Sequence, residues 1–325
     1  RPANQEKPYV LPRGRNQKMS VLNANRQYVV YVSYHYLSIT EDKNSIIAKI
    51  MLYPTAFFTN NHVSLHIYKN KLPMKILYYI YQICIALPIL LVLTILTAIV
   101  TIVGSLLGGA HFWGYYPGKI WSQLICLFLL IPVKIHGREK LHGKTSYIFV
   151  PNHQGSFDIF LIYGFIGRNF KWMMKKSLRK IPFVGKACES AGHIFVDRSG
   201  PKKVLETIRQ AKDSLKDGVS LVVFPEGART FTGHMGYFKK GAFQLADDLQ
   251  LAVVPVTIDG SFEILPRTGK WIHRHRMILT IHDPIPPKGK GMENIKATMA
   301  EAYTAVESAL PEKHKGMITN EDQDR

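Results

Sequence analysis

Hydrophobic and polar positions divide this chain into unlike parts. Residues 76–103 carry no charged side chain over 28 positions. At about 1.5 Å per residue such a run predicts a helix that spans a bilayer core with length to spare. Pro88 lies inside it and is a candidate kink. A second apolar run, 120–133, has 14 residues and is short for a span, which predicts a re-entrant or interfacial helix. Between the two stand His111, Phe112, Trp113, Tyr115 and Tyr116, aromatics of the kind that favour a membrane–water interface. Lys69, Lys71 and Lys75 precede the first run, and Lys134, Arg138 and Lys140 follow the second. Basic flanks on both sides predict a hairpin-like anchor with both ends on the cytoplasmic side.

Beyond residue 133 the rhythm changes. Strand-like runs at 133–135, 147–150, 193–196, 220–224, 252–258 and 277–281 alternate with helical patterns near 156–167, 200–217, 238–249 and 291–309. This alternation predicts an α/β fold, a central largely parallel or mixed sheet covered by helices. The helix over 200–217 has Pro201 at its start and Gly218 past its end, and Val204, Leu205, Ile208, Ala211 and Leu215 form one apolar face for the core. Residues 1–73 are rich in Asn, Tyr and basic side chains and show no sustained helical period. They read as a non-native or disordered extension, with a separate N-terminal module as the alternative, and Met74-Lys75-Ile76 as a plausible start. The predicted organisation is thus an extension over 1–73, a membrane-anchoring helical segment over 74–133, a catalytic domain over 134–310 and a polar tail over 311–325.

Composition narrows the function classes. The formal net charge is +19, which suits nucleic acid or an anionic membrane surface. The apolar run favours lipid, and no helix-turn-helix, RNP or zinc-finger pattern supports nucleic acid. The chain has 13 histidines but no His-Glu-x-x-His and no Cys-x-x-Cys, so no metal site is expected. His273 and His275 lie in Lys270-Trp271-Ile272-His273-Arg274-His275-Arg276, better read as a surface loop facing anionic lipid than as a ligand pair. Cys84, Cys126 and Cys188 form no disulfide framework, and nothing marks any of them as a nucleophile.

The densest chemical signal is Asn152-His153-Gln154-Gly155-Ser156-Phe157-Asp158, directly after the run at 147–150. A histidine and a carboxylate five positions apart do not share a helix face, being roughly 140° apart around it. They meet only if the chain turns, which Gly155 and Ser156 permit. A carboxylate on one imidazole nitrogen fixes the tautomer and leaves the other nitrogen as a general base. The plainer alternative is that Ser156 or Asp158 merely caps the helix that follows. Three more blocks stand downstream: Gly192-His193-Ile194-Phe195-Val196-Asp197-Arg198, Phe224-Pro225-Glu226-Gly227-Ala228-Arg229-Thr230, and Val253-Val254-Pro255-Val256-Thr257-Ile258. Each couples a strand-like run to polar residues, the layout of a site built at strand ends.

In these four blocks, taken in order, the chain resembles the glycerolipid acyltransferase family, with the bacterial 1-acylglycerol-3-phosphate acyltransferases as the best match, over roughly residues 74–310. The resemblance implies a glycerol-3-phosphate acyltransferase-like fold. It implies an enzyme that moves an acyl group from acyl-CoA or acyl carrier protein, as co-substrate and without a cofactor, to the sn-2 hydroxyl of lysophosphatidic acid, giving phosphatidic acid. Another acceptor, glycerol-3-phosphate or a lyso-aminolipid, is the alternative. By resemblance His153 is the base and Asp158 orients it, Arg198 and Arg229 hold the acceptor phosphate, and Glu226 holds a glycerol hydroxyl or orders the basic groups. The oxyanion of the tetrahedral intermediate needs donors, for which backbone amides near Gly227 are the candidates, and Lys175 and Lys176 are further candidates for positive charge. Ala228 stands where the family often has Thr or Ser. The location implied is a membrane, the bacterial inner membrane, with the catalytic domain on the cytoplasmic side.

Overall fold

The predicted strands assemble around one neighbour relation: β5 (Ile148–Pro151) lies between β8 (Ser220–Val222) and β9 (Val253–Asp259), parallel to both. The structure, a computed structural model, describes residues 17–22, 27–32, 35–40, 74–196, 200–215 and 218–316. It divides into two compact units, Arg1–Ile85 and Ala86–Arg325. In the first, β1 (Gln17–Leu22), β2 (Gln27–Val32) and β3 (His35–Thr40) pair as an antiparallel meander, elements that the sequence reading did not assign.

In the second unit, the described residues form a sheet of seven strands in the order β4-β10-β9-β5-β8-β6-β7. The remaining strands are β4 (Val133–His136), β6 (Phe170–Lys175), β7 (Ile194–Val196) and β10 (Met277–Ile281). β10 runs antiparallel to β9, and β4 runs parallel to β10; every other pairing is parallel. The sheet is therefore mixed, as expected. One consequence matters for the site. The first residues of β4 and β10 lie at the same edge of the sheet as the last residues of β5 to β9.

Helices cover both faces. α1 (Leu87–Gly104) and α2 (Tyr116–Phe128) pack together, and α2 packs on α3 (Asp158–Phe165). α1 also packs on α4 (Val184–Ser190). α5 (Pro201–Ser214), α6 (Gly241–Leu249) and α7 (Met292–Ser308) follow. Strand alternation sends Ile148 and Val150 to one face, where they share a buried cluster with Ala211 of α5, Phe243 of α6 and Val306 of α7. Phe149, between them, is fully buried on the opposite face. Polar bonds pin the layers: Thr257 Oγ1 donates to the Val306 carbonyl at 2.8 Å, tying β9 to α7.

The apolar run is helical. Met74–Trp113 contains an 18-residue window with a mean hydropathy of 2.9 and is long and apolar enough to cross a membrane. Leu91, Val92, Leu96, Ile99, Val103, Leu106 and Leu107 are exposed, a face that water would not favour. Pro88 lies inside this helix, and the turn just before it, Gln82–Ala86, is π-helical: proline has no N–H to give to the carbonyl one turn back, so the regular ladder is locally distorted there. The run reverses at Gly108, whose φ of 100° suits glycine. Trp113 then folds back so closely that a Cβ on Gly104 would lie 2.4 Å from its ring. The second apolar run differs from its predicted bounds. Its helix starts at Tyr116 and stops at Phe128, and Val133 already opens β4. Ser122, Ile125 and Cys126 are buried, whereas Tyr116, Ile120 and Leu127 are exposed.

Candidate active site

β5 delivers the first block to the edge of the sheet. Asn152 secures the exit by bonding both ways to the main chain of β9: Ile258 N–H donates to its Oδ1 at 2.7 Å, and its Nδ2 donates to the Ile258 carbonyl at 2.9 Å. The chain then turns, and helix α3 begins at Asp158. The turn brings His153 Nδ1 to 2.7 Å from Asp158 Oδ2, and the same oxygen accepts the Gly155 N–H at 3.0 Å. A carboxylate only accepts, so the shared proton resides on Nδ1 and the lone pair on Nε2. The His153 side chain is 16% exposed and that of Asp158 is fully buried. The imidazole is therefore partly open to solvent and the carboxylate behind it is not. Asp158 does not cap the helix: it is the first helical residue, the N-cap position is Phe157 without a side-chain cap bond, and the Asp158 carboxylate reaches back to the turn instead.

The third block braces this turn. Both oxygens of Glu226 accept backbone N–H groups, from His153 at 2.7 Å and from Gly236 at 3.0 Å. The His153 carbonyl in turn accepts the Thr230 N–H at 2.9 Å. The His153 peptide is thus held on both sides by the 226–230 loop. Burial pushes the Glu226 carboxyl up to about 8, with Asp158 adding to the rise and the two N–H donors opposing it. Glu226 is 4% exposed, so it acts on the site through the backbone of His153 in this structure. The N–H of Gly227 donates to the Phe224 carbonyl at 3.1 Å and closes the loop, so this amide is occupied by the turn. Gly227 itself is exposed at φ 79°, a left-handed position that glycine tolerates.

Phe224, which sequence reasoning passed over, forms a flat wall. Its ring lies 3.8 Å from the His153 imidazole at an interplanar angle of 14°, and its centroid is 5.7 Å from that of Trp172 at 13°. A ring stacked on the imidazole fixes its plane and favours the imidazolium that proton uptake would create.

The cationic residues fall in two groups. Arg229 Nη1 hydrogen-bonds Ser156 Oγ, which sets the guanidinium against the catalytic turn, and Arg267 donates to the Arg229 carbonyl at 3.1 Å. Lys175 and Lys176 are exposed at the end of β6, on the same edge of the sheet but on its outer side. Arg198 lies outside the described residues, two positions after β7 ends at that edge. Lys239 is an additional cation: its Nζ lies 3.5 Å from where a Cβ on Gly227 would stand. The only sequence signal for it is a basic pair, Lys239-Lys240, just ahead of α6.

Among the described residues, one cluster of potential metal ligands arises only in three dimensions. Donor atoms of Asp259, Glu263 and His314 lie within 4.8 Å of one another. The Glu263 carboxylate already binds the Lys313 ammonium and His314 Nε2, the latter at 2.9 Å, so it reads as a clamp on the C-terminal segment.

With His153 and Asp158 paired on one turn and Arg229 bonded to that turn from the 226–230 loop, the chain can be set beside known proteins. The acyltransferase family model matches residues 132–259, from the start of β4 to the end of β9. The plant chloroplast protein 1-acyl-sn-glycerol-3-phosphate acyltransferase LPAT1 of Arabidopsis thaliana is 33% identical over 173 residues, 53% of this chain and 48% of its own length. The chain spans about half the length of that relative and of its Brassica napus counterpart. An uncharacterized acyltransferase of Schizosaccharomyces pombe, C1851.02, is 30% identical over 217 residues, 66% of this chain and 78% of that protein. Among solved structures, the 1-acyl-sn-glycerophosphate acyltransferase PlsC of Thermotoga maritima is similar, at a TM-score of 0.50 and 31% identity, covering 58% of this chain and 77% of the other. The matched region, the identities of 30% and 31%, and the coverage of 78% and 77% of those two proteins lead to one conclusion: the chain belongs to the acyltransferase family.

Proposed function

We propose that the chain is a membrane-bound acyltransferase that moves an acyl group from a thioester, on coenzyme A or acyl carrier protein, to the sn-2 hydroxyl of 1-acylglycerol-3-phosphate, yielding phosphatidic acid. The observation that carries this reading is the His153–Asp158 pair at 2.7 Å, with the imidazole partly exposed at the sheet edge. The reading is supported by relatives in plants, yeast and bacteria whose names give this acceptor.

An alcohol is a weak nucleophile at neutral pH, so its proton leaves as the new bond forms. His153 Nε2 takes that proton while the hydroxyl oxygen attacks the thioester carbonyl. The C–O bond forms and the carbonyl becomes a tetrahedral oxyanion. Collapse restores the carbonyl, breaks the C–S bond and returns the proton from the imidazolium to the departing thiolate. Asp158 holds the Nδ1 proton throughout and stabilises the imidazolium, as the carboxylate of a serine-protease triad does. The acceptor oxygen takes the place of an enzyme serine, so no acyl-enzyme forms. Arg229, beside Ser156, together with Arg198 and the exposed Lys175, Lys176 and Lys239, supplies cationic groups for the acceptor phosphate; an arginine fork suits phosphate oxygens. Glu226 serves as the brace that sets the His153 backbone. In this reading the catalytic edge works at a membrane, on its cytoplasmic side; the long apolar helix and the basic residues Lys75, Lys134, Arg138 and Lys140 that flank the two apolar runs support it.

The test uses membranes containing the full chain, a labelled acyl thioester, and either 1-acylglycerol-3-phosphate or glycerol-3-phosphate, with His153→Ala in parallel. Labelled phosphatidic acid from the parent and none from the variant is the expected result. Acylation of glycerol-3-phosphate alone would replace the acceptor, and equal product from the variant would remove His153 from the mechanism.

A further inference from the structure

The segment over residues 264–282 contains no Asp or Glu, and it carries Arg267, Lys270, Arg274 and Arg276, with His273 and His275 between them. All four cations are exposed, and Trp271 is 52% exposed in their midst. The segment is fastened at both ends. Arg267 donates to the Arg229 carbonyl at 3.1 Å and lies 3.9 Å over the Phe231 ring, next to the catalytic loop. Arg274 Nε donates to the Leu130 carbonyl at 3.0 Å, and the Met277 N–H donates to the Pro132 carbonyl at 2.9 Å. Residues 267–276 therefore run along the active edge of the sheet from the 226–230 loop to the end of α2. On α2, Tyr116, Ile120 and Leu127 are spaced to lie on one helix face; all three are exposed, and the row continues to exposed Leu130.

We propose that residues 267–276 are a second membrane contact, an electrostatic strip that seats the catalytic edge on an anionic bilayer. The inference rests on the membrane-bound reading above and adds the orientation. Three observations favour a lipid surface over an acidic protein. The charge is of one sign, an exposed Trp, a residue type that favours the membrane–water interface, sits among the cations, and the strip is continuous with the exposed apolar row of α2 and the apolar helix packed on it. Lysolipid could then pass from the bilayer to His153 along one edge without crossing water.

The test uses the full chain in vesicles of phosphatidylcholine alone or with phosphatidylglycerol. Brominated lipids should quench the parent more than Trp271→Phe, and only when anionic lipid is present. The double variant Lys270→Ser/Arg276→Ser should raise the apparent KM for vesicle-borne lysolipid by about fivefold per charge removed in anionic vesicles, leaving kcat unchanged. In phosphatidylcholine alone it should match the parent. Equal quenching of parent and Trp271→Phe would place the strip in water and overturn the proposal. A variant slowed equally in both vesicle types, and only with an acyl carrier protein donor, would overturn it in favour of docking an acidic protein. Quenching reads docking even where no acyl transfer occurs, so failure of the proposed function would show separately.

Discussion

Two histidines in this chain stand in similar sequence settings and have opposite fates. His153 follows β5 and His193 precedes β7, each inside a block with glycine close by. His153 has one nitrogen on a buried carboxylate and an imidazole that is partly exposed. His193 is 7% exposed with both nitrogens engaged: Nδ1 accepts the Trp172 N–H at 3.3 Å, and Nε2 lies 3.3 Å from Tyr163 Oη. Tyr163 donates to the Gly114 carbonyl at 3.1 Å, so His193 must give its Nε2 proton to the tyrosine oxygen. This chain of bonds has a consistent direction only when His193 is neutral. Burial, aided by the nearby Lys171 ammonium, pushes His193 down to about 3, and burial holds Lys171 down to about 8. An imidazole with a carboxylate behind it and an opening in front is placed to act as the base proposed above, whereas one enclosed by donors and acceptors is a structural linker.

The strongest way to break this comparison is His153→Ala. Turnover should fall by on the order of a hundredfold or more, with unchanged circular dichroism. Activity near the parent's would show that proton transfer occurs elsewhere. Asp158→Asn follows, with a loss of at least roughly tenfold in kcat, because the amide can turn its NH2 toward His153 and select the wrong tautomer. An unaltered kcat would mean that Asp158 serves only the turn. Phe224→Leu sharpens the picture on a smaller scale. Losing a stacked ring at 3.8 Å should lower kcat about two- to tenfold, the range of an aromatic pair, with little change in KM. A change confined to KM would make Phe224 part of the substrate pocket.

The smallest effect on turnover is expected at the other histidine. His193→Ala should leave kcat per folded molecule near the parent's and lower stability by about 1–3 kcal/mol, the cost of unpaired buried partners. Its pH signature has a definite sign. The unfolded chain takes up a proton near 6.5, whereas the folded chain does so only near 3. The unfolded state therefore binds more protons between those values, and this contribution to stability is lost as pH falls through that window. Melting temperatures in detergent between pH 7 and 4 should drop more steeply for the parent than for the variant. Parallel curves would mean that His193 is not held neutral.

Much of the sheet was legible in the sequence, with particular gaps. Six strands were read from apolar runs, but β6 was not: Phe170-Lys171-Trp172-Met173-Met174-Lys175 mixes lysines with apolar residues. Lys171 breaks the pattern because its Nζ donates to the Ala191 carbonyl at 2.6 Å, a compensation invisible along the chain. α4, at 7 residues, is too short for a helical period to show. The second apolar run was legible as helix but not in its bounds, since local hydropathy does not separate the end of α2 from the start of β4. In the site, the His153–Asp158 pair was readable because one turn suffices to join it. The bracing by Glu226 was not readable, because its partners are backbone groups 73 and 10 residues away.

The sequence by itself determined the alternation of strands and helices, the long uncharged helix, the basic balance and the four blocks that carry the family resemblance. These follow from local periodicity and residue chemistry, which need no knowledge of neighbours. Only the tertiary structure decided that β5 lies between β8 and β9, that β10 reverses direction, and that the Lys270–Arg276 run therefore shares an edge with His153. It also decided which histidine stays open. Periodicity states which face of an element is buried, whereas the partner across that face, and hence each side chain's hydrogen bonds and charge, depends on residues far away in the chain.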